Sequence, residues 1–418
     1  MTARRFIPLF AAALSAFGQA STQLDLDSFE KVWTTIRDKH WQVKPGGLDW
    51  LAIRDEYRPR VKSAASHDEA RAVMQEMLGR LKQSHFAIIP ATLYSVVDDD
   101  GEGPGTSGID TRVLDGHAVV TSVDPGSPAD KQGVRPGWQI ERTRGIDLAP
   151  LIEQGRSNPA VHELQLTRAV LARLSGPIGG TLEATFLDAS NKTVTLTLGL
   201  TAPRGTLSAF GNLPAQHVWF ENKRLGTTAY VRFNLFLDLP RVMASFQQTI
   251  DNCKECDGLI VDLRGNPGGI GGMAMGMAGF LVDKPNQLLG TMYLRDSTLK
   301  FVVNPRADIF SGPVAVLVDG CSASTSEIFA GGLKDLGRAR VFGTPTAAAA
   351  LPSAFERLPN GDGFQYAVAN YVSEGGQPLE GLGVTPDVRV ELTRTALLAG
   401  HDPVVDAALD WIRRSKKP

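Results

Sequence analysis

The chain has 418 residues, more than one ordinary domain needs and enough for two or three with a sizeable buried core. A hydrophobic fraction of 43% with 21% charged residues is that of a soluble globular protein, not of a disordered or many-times membrane-spanning one. The formal net charge is −2 and no basic run is present to track a phosphate backbone, which argues against nucleic-acid binding.

Arg4 and Arg5 precede an apolar stretch, residues 6–17, that ends in small residues around Gly18 and Ala20. This pattern predicts a signal peptide over residues 1–20, because the apolar run is too short to span a bilayer. An uncleaved anchor is the competing reading. No cysteine follows to carry a lipid, and no later segment offers about 18 uninterrupted apolar residues. The expectation is an exported protein, periplasmic or secreted, with no integral membrane segment after signal removal.

Residues 21–100 read as a helical region. Phe29, Trp33 and Ile36 recur at helical spacing, as do Met74, Met77, Leu78 and Leu81, and the KPGG stretch at 44–47 separates two helices. The region carries Ser84-His85. A glycine-rich run at 101–108 marks a boundary, and residues 101–200 change to short strands and turns. Residues 119–123 predict a strand, 160–173 a helix, and 181–187 with 193–198 a hairpin.

From 201 to 418 strand and helix patterns alternate, which argues α/β. Residues 228–233, 258–263 and 313–318 read as strands, the last two continuously apolar in the manner of buried parallel strands. Residues 239–250, 273–282 and 403–412 read as helices. Cys253 and Cys256 form a C-x-x-C pair between a helix and a strand, the pattern of a local disulfide in an oxidising compartment. Zinc would need a second ligand pair, and none is spaced for it. Cys321 is left over and reads as a small buried residue.

The strongest chemical signal is residues 320–331, GCSASTSEIFAG, directly after the strand at 313–318. A strand-to-helix turn there displays serines at a helix N-terminus, where backbone N–H groups are unpaired and the dipole end is positive. A serine so placed attacks a carbonyl while neighbouring N–H groups hold the oxyanion. The same residues also read as a capping box, Ser324 with Glu327 three residues on.

Residues 322–343, SASTSEIFAGGLKDLGRARVFG, resemble the nucleophile segment of the tail-specific (carboxyl-terminal processing) proteases, and residues 261–269, VDLRGNPGG, resemble their strand and glycine turn. The resemblance implies Ser324 as nucleophile, Gly269 and Thr325 as oxyanion donors, and a crotonase-like spiral of ββα units as the core. Residues 119–140 resemble a PDZ domain of the kind embedded in these proteases, with Ser107, Gly108 and Ile109 as the loop that captures a peptide's carboxyl end. A small β-rich spacer is the bland alternative.

One departure is informative. The family's Ser–Lys branch carries its lysine in a stretch matching residues 343–350 here, and the lysine position is Ala349. A lysine dyad is therefore excluded as written. Ser84-His85 resembles instead the Ser–His pair of the tricorn-core branch, whose Ser-His-Ser-Glu tetrad places its glutamate at Glu380. That resemblance implies His85 as general base, oriented through Ser84 by Glu380; an ordinary loop histidine is the competing reading. The expected function is an exported serine endopeptidase that takes polypeptide substrates, through their carboxyl termini where the PDZ-like domain engages them. No metal or organic cofactor is implied. A non-catalytic peptide-binding protein on the same scaffold is the alternative.

Overall fold

The computed structural model describes residues 10–94, 104–157 and 163–415. The chain divides into two compact units: Met1–Ser95 with Leu294–Ser297 and Ser353–Ala369, and Val96–Tyr293 with Thr298–Pro352 and Asn370–Pro418. Of the expected signal peptide, residues 1–9 lie outside the described residues, and Phe10 onward opens the helix Phe10–Lys39. Among the described residues no helix is long and apolar enough to cross a membrane.

Among the described residues, the first unit is built from three long helices, the short helix Ala91–Tyr94 and a small sheet. The helices Phe10–Lys39, Trp50–Lys62 and His67–Gly79 bury the apolar positions read at helical spacing, Phe29, Ile36, Met74 and Met77 being fully enclosed. The KPGG break forms a single turn, Pro45–Gly47, and Asp49 caps the second helix by accepting from Leu51 and Ala52 N–H. Trp33 and Trp50 donate their indole N–H groups to each other's carbonyls, at 2.8 and 3.0 Å, so neither buried donor is left unmet. Strand Ala87–Ile89 pairs antiparallel with Gly363–Ala367, which pairs with Ser353–Arg357. Buried Asp362 ties these parts together, accepting from Arg71 Nε and Ala91 N–H at 2.9 Å each.

In the second unit a six-stranded sheet carries the site. Its order is Phe220–Leu225, Thr228–Phe233, Gly258–Asp262, Val314–Val318, Arg340–Gly343 and Val388–Arg389, parallel except for the opening hairpin. Side chains alternate between two cores. Val231, Leu259, Val261, Val314 and Val316 face the helices Leu239–Asp251, Gly271–Ala278 and Thr325–Asp335. Tyr230, Ile260, Ala315 and Leu317 face the closing helix Pro403–Ser415 through Val404, Ala408 and Ile412. A sheet covered on both faces needs continuously apolar strands, which is why residues 258–263 and 313–318 were legible.

A separate apolar core in this unit lies under the antiparallel sheet of Ile109–Leu114, His117–Val123, Gln139–Thr143, Thr181–Leu187 and Thr193–Gly199, with helix Glu163–Arg173 packed on it. The expected hairpin 181–187/193–198 is present in register, Thr181 opposite Gly199. Cys253 and Cys256 are disulfide-bonded, and Cys321 is free and buried. The chain is thus mixed α/β, as its alternating pattern required.

Candidate active site

Strand Val314–Val318 is buried along its whole length and delivers the chain to Asp319, where a five-residue turn leads to Ser324 and the helix Thr325–Asp335. Asp319 shapes that turn, accepting from Cys321 N–H at 3.0 Å and from Gly265 N–H at 2.9 Å. Arg112 donates to the same carboxylate at 2.8 Å, and both its neighbours Asp110 and Asp319 hold the guanidinium charged despite burial. Cys321, wedged in this turn at 2% exposure, has its thiol pushed up to about 12 by burial, with Asp319 adding to the effect.

The three serines of the turn separate by environment. Ser322 is fully buried and donates to Leu263 O at 2.8 Å; Ser326 is fully buried and donates to Asn266 O at 2.8 Å. Both hydroxyls stitch the turn to the neighbouring strand end. Ser324 alone is half-exposed, and its backbone sits at φ 55°, ψ −117°. A helix-capping serine ordinarily lies in the β region. A non-glycine residue held at positive φ costs about 1–3 kcal/mol and persists only where its surroundings over-determine it.

Those surroundings are glycine and carboxylate. Gly268, at φ 98°, lies so close that an added Cβ would stand 2.7 Å from Ser324 Cβ and 2.8 Å from Thr325 N. Gly269, at φ 136°, faces Phe236 O, where a Cβ would stand at 2.2 Å. Thr325 Oγ1 donates to Gly269 O at 2.9 Å, so the two expected oxyanion residues are neighbours. Thr325 opens its helix, and its N–H therefore has no acceptor within it. Sequence reading singled out Gly269 and missed Gly268, although the paired glycines of the NPGG turn carried the signal.

Glu327 is completely buried in the first helical turn, and its carboxylate accepts the Ser324 N–H at 2.9 Å. It also accepts from Ala348 N–H at 2.9 Å, Ala349 N–H at 3.1 Å and the Thr346 hydroxyl at 2.5 Å. Ser324 N–H lies 2.8 Å from Ala349 O as well. Ala349, where the resemblance would put a lysine, thus supports the turn bearing Ser324 through its backbone. Glu380 adjoins the same segment, accepting from Ala350 N–H at 3.1 Å, while Gly381 N–H donates to Ala348 O at 2.9 Å. Lys334 is turned to Thr385 O and Asp387.

Ser84 and His85 belong to the first unit, on the loop between helix His67–Gly79 and strand Ala87–Ile89. Ser84 Oγ and His85 Nδ1 are 2.6 Å apart, and His85 has φ 61°. Buried Leu81 and Phe86 fix the loop's flanks, with Gln75 bonding Phe86 O and Ile88 N–H. In the β-rich part, Ser107 is buried and its carbonyl accepts from Ala129 N–H. Gly108 N–H is bonded to Thr106 Oγ1 at 3.0 Å, and Ile109 opens a strand opposite Val123.

Residues 227–390 match the family model described as Peptidase family S41, and residues 26–79 match the Tricorn protease C1 domain. A carboxyl-terminal-processing protease of Picosynechococcus sp. is 28% identical over 93% of this chain and 90% of its own length. The chloroplastic C-terminal processing peptidase of Tetradesmus obliquus is 27% identical, over 91% and 80% respectively. Among solved structures, the photosystem II D1 C-terminal processing protease shares the fold with a TM-score of 0.59 at 22% identity, covering 88% of this chain and 93% of that one. The strained serine thus stands inside residues 227–390, the segment that carries the match, so the chain contains a Peptidase family S41 domain and is a serine peptidase.

Proposed function

We propose that the protein is an exported endopeptidase that cleaves polypeptides through an acyl-enzyme on Ser324. One observation carries this reading: of three serines on one strand-to-helix turn, Ser324 alone is half-exposed and held in a strained conformation beside Gly268, Gly269 and the helix N-terminus. Ser324 Oγ attacks the scissile carbonyl carbon and its proton passes to His85. The oxyanion is met by the N–H groups of Gly269 and Thr325. As the C–N bond breaks, His85 returns the proton to the departing amine; water then repeats the sequence and frees the acid. Because Ser84 engages Nδ1, Nε2 is the nitrogen that takes the proton, and Glu380 orients the pair through the Ser84 hydroxyl and favours the imidazolium.

The supporting scaffold is read as a crotonase-like ββα core. Residues 101–200 form a PDZ-like module that draws in substrates by their carboxyl ends at Ser107, Gly108 and Ile109. Capture there requires the loop to open toward a ligand, since Ser107 is buried and Gly108 N–H is already bonded. Substrates are polypeptides with accessible carboxyl termini, as befits the carboxyl-terminal processing peptidases this chain resembles.

The test is labelling of the purified protein with a fluorophosphonate. Label should be lost in Ser324→Ala and slowed about 100- to 10,000-fold in His85→Ala, the span that acid–base catalysis contributes. Label should remain on folded Ser322→Ala. Labelling of Ser324→Ala at the wild-type rate would overturn the assignment.

A further inference from the structure

Glu327 is more than a helix cap. Capping the Ser324 N–H takes one acceptor, and glutamine serves that purpose as well as glutamate. Here four donors converge on one side chain: Ser324 N–H and Ala349 N–H on Oε2, Ala348 N–H and the Thr346 hydroxyl on Oε1. Only an ionised carboxylate offers about four acceptor positions; glutamine offers half as many and brings two donors. Two of the three backbone donors belong to residues at φ 55°, Ser324 and Ala348. Thr346 in turn accepts from Val384 N–H at 2.7 Å, so its hydroxyl hydrogen is directed at Glu327.

We infer that Glu327 is a positioning residue for the reaction, its carboxylate form holding Ser324 and the 348–349 backbone in the strained arrangement that presents the nucleophile. Where the family's other branch has a lysine, this chain has a backbone bridge, and Glu327 is its clasp. Protonating Glu327 places a hydrogen on an oxygen already receiving two donors and releases one of them. Burial pushes this carboxyl up to about 7, against the four hydrogen bonds that favour its charge, so the clasp opens as pH falls through about 7. The charged groups around it are Glu380, seated on Ala350 N–H, and on its own helix Lys334, paired with Asp387.

The inference rests on Ser324 being the nucleophile. Two deprotonations then govern the acid limb, one at the general base and one at Glu327, so log kcat/KM of the wild type on labelled casein should rise with slope two. Glu327→Gln should show slope one, a kcat about 100-fold lower, as a misplacement of about 1 Å costs, and a KM within about twofold. Thr346→Val removes a donor that favours the carboxylate and should move the upper ionisation to higher pH; Thr346→Ser, which keeps the hydroxyl, should restore the wild-type profile. A Glu327→Gln protein that labels at the wild-type rate with an unchanged acid limb overturns the inference. Should that variant not fold, a Thr346→Val profile superimposable on wild type does the same. Fluorophosphonate label that persists in Ser324→Ala sinks the nucleophile reading instead, so the two failures are distinct.

Discussion

Burial holds the proton on Glu327 until about pH 7, whereas an unfolded glutamate gives it up near about 4.3. The folded chain therefore binds this proton more tightly than the unfolded one. The associated stability is full below about pH 4 and is lost as pH rises through about 7, on the order of 3 kcal/mol in all. Activity and stability pull in opposite directions on one carboxyl group. Comparing urea unfolding of wild type and Glu327→Gln from pH 5 to 8 isolates this contribution: the wild type should lose stability relative to the variant as pH rises, and parallel curves would refute it. At this scale the sequence showed Ser324 twice over, as a nucleophile by resemblance and as a cap by its spacing from Glu327. It could not show that Ser322 and Ser326 are committed to Leu263 O and Asn266 O, because those bonds join segments about 60 residues apart.

Elements were legible where one local pattern decides them. Strands Thr228–Phe233 and Gly258–Asp262 and helices Leu239–Asp251 and Pro403–Ser415 follow the apolar period of the chain to within a few residues. The strand Gly363–Ala367 was not legible as the partner of Ala87–Ile89, since that pairing spans some 275 residues and depends on register rather than composition. The C-x-x-C pair was read correctly as a local bridge. It pins the end of helix Leu239–Asp251 just before strand Gly258–Asp262, with Cys253 buried and Cys256 partly so. So short a loop is expected to contribute about 2 kcal/mol. Melting the protein with and without a phosphine reductant should show a drop of a few degrees; an identical melt would mean the bridge contributes nothing.

Taken whole, the second unit owes its order to the six-stranded sheet, which buries side chains on both faces and ends its central strands at the turn bearing Ser324. The alternation between the two cores is what made an α/β reading possible. Nothing local could reveal that residues Ser353–Ala369 cluster with the N-terminal helices. The turn itself contains an untouched witness. Cys321 is free, 2% exposed and kept as a thiol to about 12, and only the thiolate attacks an aromatic disulfide reagent. In the native enzyme it should stay silent, so that reagents diagnostic of cysteine peptidases leave activity intact. When it does react, at low denaturant, the rate counts how often the turn bearing Ser324 comes apart. If that rate rises with urea as steeply as global unfolding does, the turn opens only when the whole unit does; a shallower rise would mean that the turn breathes alone.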